Sequence, residues 1–135
     1  MAKLVLLGTK GGPSLRGEGA SFLPTSSHLA IAGRSIIIDC GFSVTASMVE
    51  AGYPFTGLAT IFITHCHSDH VLEFGALLHT AWTTGLDRPV SIFGPPDIAV
   101  IWLQFCEMMR FDITIRMADE GRIPFSTMAQ IKENA

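Results

Sequence analysis

The residues with the most chemistry in this 135-residue chain lie together in the heptapeptide Thr64-His65-Cys66-His67-Ser68-Asp69-His70. Three of the five histidines and one carboxylate fall between positions 65 and 70. Imidazole nitrogens with a carboxylate oxygen are the donor set of a borderline cation such as Zn²⁺. The cluster follows the apolar run Leu58-Ala59-Thr60-Ile61-Phe62-Ile63, which reads as a strand. Side chains two apart on an extended segment share a side. His65 and His67 are therefore expected to converge on one ion, with Cys66 pointing away. Asp69 and His70 come after a turn and could serve a second ion. A cation with an open coordination place lowers the pKa of bound water to about 7. The reaction class implied is hydrolysis of an ester, amide or phosphodiester.

The elements that must position this cluster can be read on either side of it. Lys3 to Leu7 is a first strand. Gly8 to Gly19 carries five glycines and a proline and reads as a loop. It matches neither GxxxxGK[ST] nor GxGxxG, so nucleotide binding is not indicated. Ser26–Ala32 and Ser35–Asp39, joined by Gly33-Arg34, read as a β-hairpin. Ile36-Ile37-Ile38 lacks alternation, as in a strand buried on both faces. Asp39 at its end either caps the next helix or orients a ligand histidine. Ser43 to Ala51 is a short helix closed by Gly52. Beyond His70, Phe74, Leu77, Leu78 and Ala81 recur at helical spacing, which predicts a helix beginning at the cluster and ending near Gly85. Val90–Phe93 is a strand, Ile98 to about Met109 a helix capped by Asp97, and Phe111–Met117 an alternating strand. From Ala118 the chain is polar with no clear final element. The pattern is a mixed α/β layout with helices on a sheet.

Two metals need more protein ligands than the cluster supplies. His79 lies nine residues beyond His70, along the axis of the following helix, and is assigned to surface or packing. His28 opens a hairpin strand and is assigned a structural role. The cluster is therefore one wall of a site.

Composition narrows the setting. Hydrophobic residues make up 48% and charged residues 16%, against an average charged share of about 25%. Part of the surface is expected to be covered, by further chain or by a second copy in a homodimer. A net charge of −3 and no basic stripe give no support to nucleic-acid binding, though a nucleic-acid substrate stays open. No apolar run approaches the ~18 residues of a membrane span, so no membrane partner is expected. Cys40, Cys66 and Cys106 are odd in number with no CxxC spacing, which points to a reduced, cytoplasmic protein.

THCHSDH after an apolar strand resembles the signature of the metallo-β-lactamase superfamily. Leu7-Gly8-Thr9 with Gly12-Pro13, Ile38-Asp39-Cys40-Gly41 and Ile92-Phe93-Gly94-Pro95-Pro96 resemble its ribonuclease Z and arylsulfatase-like branch, from Lys3 to about Ile98. The resemblance implies an αββα sandwich, of which residues 1–135 are the N-terminal portion of one domain. It implies that His65 and His67 bind a first metal and that Asp69 and His70 bind a second. Asp69 would also help position the attacking water, which makes it the catalytic residue. Asp39 would support the site from behind, and Cys66 would be core. Zinc is the usual metal, with Mn²⁺ or Fe as alternatives. The substrate implied is a phosphodiester, as for ribonuclease Z, or a small-molecule ester, lactone or sulfate ester. The other readings are an incomplete fragment acting in binding or assembly and a di-iron redox domain. The remaining ligands implied by the family, two histidines and a bridging aspartate, would lie beyond Ala135.

Overall fold

The structure is a computed structural model that describes residues 1–15 and 22–132. The Gly17–Gly19 end of the glycine-rich loop lies outside the described residues. Among the described residues six strands form one sheet in the order β1-β2-β3-β4-β5-β6: Lys3–Gly8, Ser26–Ile31, Arg34–Ile38, Leu58–Phe62, Val90–Phe93 and Ala129–Ile131. The first three pair antiparallel, and β3 through β6 pair parallel. Parallel neighbours need crossover connections. These are α1 (Val44–Glu50), then α2 and α3 (Ser68–Val71 and Phe74–Thr84), then α4 and α5 (Asp97–Met108 and Arg110–Glu120).

The helices cover one face of the sheet. His28, Ile37, Ile61 and Ile92 are consecutive partners across β2 to β5, and all four are fully buried. They share a single core with Met48, Phe74, Leu77, Leu78 and Trp82. The opposite face is a different surface. Ser27, Ile38, Phe62 and Phe93 form the adjacent row. Phe62 is exposed and stacks on Phe93 with ring centroids 4.9 Å apart. Leu4, Leu6 and Ile31 are exposed as well. Ile36 and Ile38 are only half-buried, so the expectation of a strand buried on both faces is met on one face alone. An αββα sandwich has two sheets, and the described residues supply one sheet with its helical layer.

Several expectations are corrected. The hairpin turns at Ala32-Gly33 rather than Gly33-Arg34, because Arg34 already pairs with Ile31. Both turn residues have positive φ, 51° and 74°, the two-residue geometry that matches strand twist. The helix after the cluster is broken at Leu72-Glu73 into α2 and α3. Glu73 turns its carboxylate to the next helix over, accepting the N–H groups of Ser43 and Thr45 at the start of α1. Phe111–Met117 is helix α5, not a strand. Its alternation hides a second pattern: Ile113 and Met117 pack on the core, and Arg116 pairs with Asp112 and Glu120 four residues away on either side. The polar tail holds a further element, since Phe125 and Met128 are fully buried and deliver β6 to the edge of β5. His79 has the packing role expected of it, with Nε2 2.7 Å from Asp112 Oδ2 and its ring against Trp82 and Phe125.

His28 is structural and lies inside the core. Nε2 is 2.8 Å from Ser35 Oγ, the ring stacks on Tyr53 at 3.8 Å, and Nδ1 finds no partner among the described residues. Burial lowers its pKa below the ordinary value. The unfolded chain therefore takes up the proton first as pH falls, and stability drops below about pH 6.5. In urea unfolding, the advantage of wild type over His28→Gln should narrow between pH 7.5 and pH 5. A difference that stays constant with pH would contradict a neutral buried ring.

Candidate metal centre

The cluster sits where the parallel strands end. Ile63 extends the ladder one residue past β4, donating its N–H to Phe93 O at 2.8 Å. Asp39, leaving β3, donates its N–H to Phe62 O at 2.8 Å. The chain then turns at Thr64, passes through His65, Cys66 and His67, and enters α2 with Asp69 in the first turn. The short loop after β3 clamps this segment from behind. Cys40 N–H donates to His70 O at 2.7 Å, and Glu73 N–H donates to Cys40 O at 3.0 Å.

Within this frame the four ligand-type side chains form two pairs. His65 Nε2 and His67 Nδ1 face each other at 3.1 Å. His70 Nε2 and Asp69 Oδ2 are 3.3 Å apart. Two donors bound at about 2.0–2.1 Å to a tetrahedral ion are about 3.3 Å from each other. Both pairs match that bite. The pairs are adjacent, with His65 and His70 ring centroids 4.0 Å apart. Among the described residues no three His, Cys, Asp or Glu side chains form a group that could hold a metal by themselves. The described donors form two pairs of two, each short of the three or more a closed site needs.

The supports of these donors are specific. Asp39 is not a helix cap: the N-cap of α1 is Ser43, whose own side chain makes no capping bond. The Asp39 carboxylate is buried and lies 2.8 Å from His70 Nδ1. It also accepts the Thr64 N–H at 2.8 Å and lies 2.8 Å from the Thr64 hydroxyl. Its backbone has φ 64°, which is uncommon for a residue with a side chain. Asp69 is buried too, and Oδ2 accepts the Gly12 N–H at 3.0 Å. The N-terminal loop reaches it because Lys10 N–H donates to Leu23 O at 3.0 Å, folding the loop back on itself. Cys66 is half-buried and packs against the core. Burial, and then the nearby Asp97 charge, raises its thiol pKa.

Sequence reasoning left Gly12, Gly41, Thr64 and Glu73 without roles. Thr64 was visible as the first residue of the motif, but its hydrogen bonds depend on Asp39, 25 residues upstream. Gly41 was visible only as the end of Asp-x-Gly. A Cβ there would lie 2.6 Å from Asp69 O and 3.0 Å from Thr25 O.

Residues 3–105 match the family described as Anti-Pycsar protein Apyc1. The chain belongs to that family. This Apyc1-family chain is also 36% identical to ribonuclease Z of Mycobacterium sp. (strain KMS) over 121 residues, covering 87% of the chain and 41% of the relative. Among solved structures it resembles human tRNase Z, short form, with a TM-score of 0.69 and 26% identity over 82% of the chain and 40% of that protein. It also resembles the metallo-β-lactamase fold protein YhfI from Bacillus subtilis, with a TM-score of 0.63 and 19% identity over 99% of the chain and 46% of that protein. The fold is that of the metallo-β-lactamase superfamily, as the motifs implied. The chain spans about two fifths of the length of the curated relative it matches.

Gly41→Ala should lower stability by about 1–3 kcal/mol, because the atoms it meets are two backbone oxygens and the ring carbon Cβ of Pro24, none of which can swing aside. Urea unfolding measures this. An unchanged midpoint would show that the Asp39–Gly41 loop and α2 are not in the tight contact described.

Proposed function

We propose that these residues form the metal-binding wall of a metal-dependent phosphodiester hydrolase, and that they are the N-terminal portion of one catalytic domain. The observation that carries the proposal is the pair of donor separations, 3.1 Å for His65–His67 and 3.3 Å for Asp69–His70. Two nitrogens suit zinc at the first place, and an oxygen with a nitrogen suits zinc, manganese or iron at the second. When bound, such ions supply a hydroxide nucleophile near neutral pH and neutralise charge on a phosphoryl oxygen. His65 and His67 hold the first ion. Asp69 and His70 hold the second, and Asp69 is the catalytic carboxylate that orients the attacking oxygen. The Gly12 N–H restrains Asp69 so that one carboxylate oxygen is fixed in direction.

Phosphodiesters are favoured over lactones and sulfate esters by the ribonuclease Z relative and the tRNase Z structure. The remaining ligands come from a second half of the domain, whose sheet covers the exposed row around Leu6 and Phe62. In isolation these 135 residues self-associate through that apolar face. Among the described residues no helix is long and apolar enough to cross a membrane. The three cysteines are unpaired, which suits the reducing cytoplasm proposed for the protein.

Zinc binding by competition with a chromophoric chelator tests the ligand assignment. His65→Ala or His67→Ala should weaken one equivalent by at least about tenfold and leave the other, while Asp69→Ala or His70→Ala should do the converse, since each removes a direct ligand. Loss of both equivalents together in every variant, with the fold retained, would contradict two separate pairs. In the full-length protein Asp69→Ala should abolish hydrolysis of bis(p-nitrophenyl) phosphate. Activity retained in that variant, or wild-type activity confined to a lactone or a sulfate ester, would overturn the phosphodiesterase assignment.

A further inference from the structure

The Thr64 hydroxyl has more neighbours than it has protons. Its oxygen is 2.8 and 3.1 Å from the two oxygens of Asp39, 3.1 Å from His65 Nδ1 and 3.4 Å from His70 Nδ1. A hydroxyl donates once and accepts through two lone pairs, whereas a carboxylate only accepts. Two oxygens 2.8 Å apart with no proton between them repel. The Thr64 O–H is therefore directed to Asp39. The Thr64 N–H also donates to Asp39, at 2.8 Å, so two bonds from one residue to one carboxylate fix the hydroxyl in place.

The proton count then passes to the rings. The lone pairs of the Thr64 oxygen face His65 Nδ1, and that contact is a hydrogen bond only if Nδ1 carries the proton. A neutral imidazole protonates one nitrogen, and the hydrogen bond at one nitrogen sets the state of the other. His65 Nε2 is therefore bare, and Nε2 is the atom aimed at His67 Nδ1. His70 also carries a proton on Nδ1, which donates to Asp39 Oδ2 at 2.8 Å, while its Nε2 lies 3.3 Å from Asp69 Oδ2.

We propose that Thr64 is a positioning residue whose hydroxyl, fixed by Asp39, holds His65 in the Nδ1–H tautomer and so presents Nε2 as a donor. One acidic side chain thereby sets the tautomers of two histidines, one directly and one through Thr64. The tautomer assignment stands on hydrogen-bond geometry alone, and its consequence for metal affinity rests on the metal-site proposal above.

The test uses the full-length protein, freed of metal and labelled with ¹⁵N at histidine, at a pH where the rings are neutral. Long-range ¹H–¹⁵N correlation spectra distinguish Nδ1–H from Nε2–H histidines. Wild type and Thr64→Ser should show His65 as Nδ1–H. Thr64→Val, which keeps the shape and removes the hydroxyl, should move His65 toward Nε2–H. Asp39→Asn is the second variant, for use if the valine substitution fails to fold. An amide nitrogen in place of Oδ2 donates to the Thr64 oxygen, which frees the Thr64 proton for His65 Nδ1 and should reverse the tautomer. Zinc affinity, read by chelator competition, should fall by about 10–100-fold in Thr64→Val and stay near wild type in Thr64→Ser. His65 found as Nε2–H in wild type, or as Nδ1–H in both Thr64→Val and Asp39→Asn, would overturn the proposal. Equal zinc affinity in wild type and Thr64→Val would overturn the positioning role. A tautomer that moves as expected in a chain that binds no zinc would uphold the proton count and overturn the metal assignment.

Discussion

Asp39 leaves β3 in a left-handed backbone conformation, φ 64°, and its buried carboxylate meets Thr64 and His70. A buried carboxylate needs hydrogen-bond donors, because an unpaired one would be costly to desolvate. Among the described residues its donors are Thr64, just past β4, and His70 in α2. The requirement to satisfy one acidic side chain thus ties the end of one strand to the histidine-rich segment after the next. Cys40 and Gly41, the residues after Asp39, complete the clamp through the backbone of His70 and the close approach to Asp69. Without the Asp39 contacts, His70 and Thr64 would have no fixed orientation, and the two donor pairs would not keep their separations.

The sheet makes this geometry repeatable. β3, β4 and β5 run parallel, so their carboxyl ends open on one side, the usual place for a site in such sheets. The core row of His28, Ile37, Ile61 and Ile92 fixes the register of these strands against the helices. Glu73 then ties the break between α2 and α3 to the first turn of α1, which sets where α2 can begin. Rigidity of the scaffold and direction of the ligands are therefore one problem with one set of contacts.

The parts legible in the sequence were those with a strong local pattern. THCHSDH stood out as a candidate donor set because imidazoles and a carboxylate at that spacing have few structural uses. Ile37, Ile61, Leu77 and Leu78 announced the core by period and apolarity. Long-range polar contacts were not legible: nothing local to Gly12 shows that its N–H will meet Asp69. Asp39 was legible as a choice between cap and support, and the partner that decided it, Thr64, is distant in sequence. Helix α5 was misread because Phe111, Ile113, Ile115 and Met117 alternate, while the Asp112–Arg116–Glu120 ladder and the contact of Ile113 and Met117 with the core favour a helix. β6 was invisible because three residues carry no period, and only the burial of Phe125 and Met128 places it.

Anomalous diffraction from crystals grown with zinc examines the proposed pairing of His65 with His67 and of Asp69 with His70 directly. Two peaks are expected. One lies about 2.0–2.1 Å from both His65 Nε2 and His67 Nδ1, and the other about 2.0–2.2 Å from Asp69 Oδ2 and His70 Nε2. A single peak, zinc bound through His65 Nδ1, or zinc held only by residues outside this turn would contradict it.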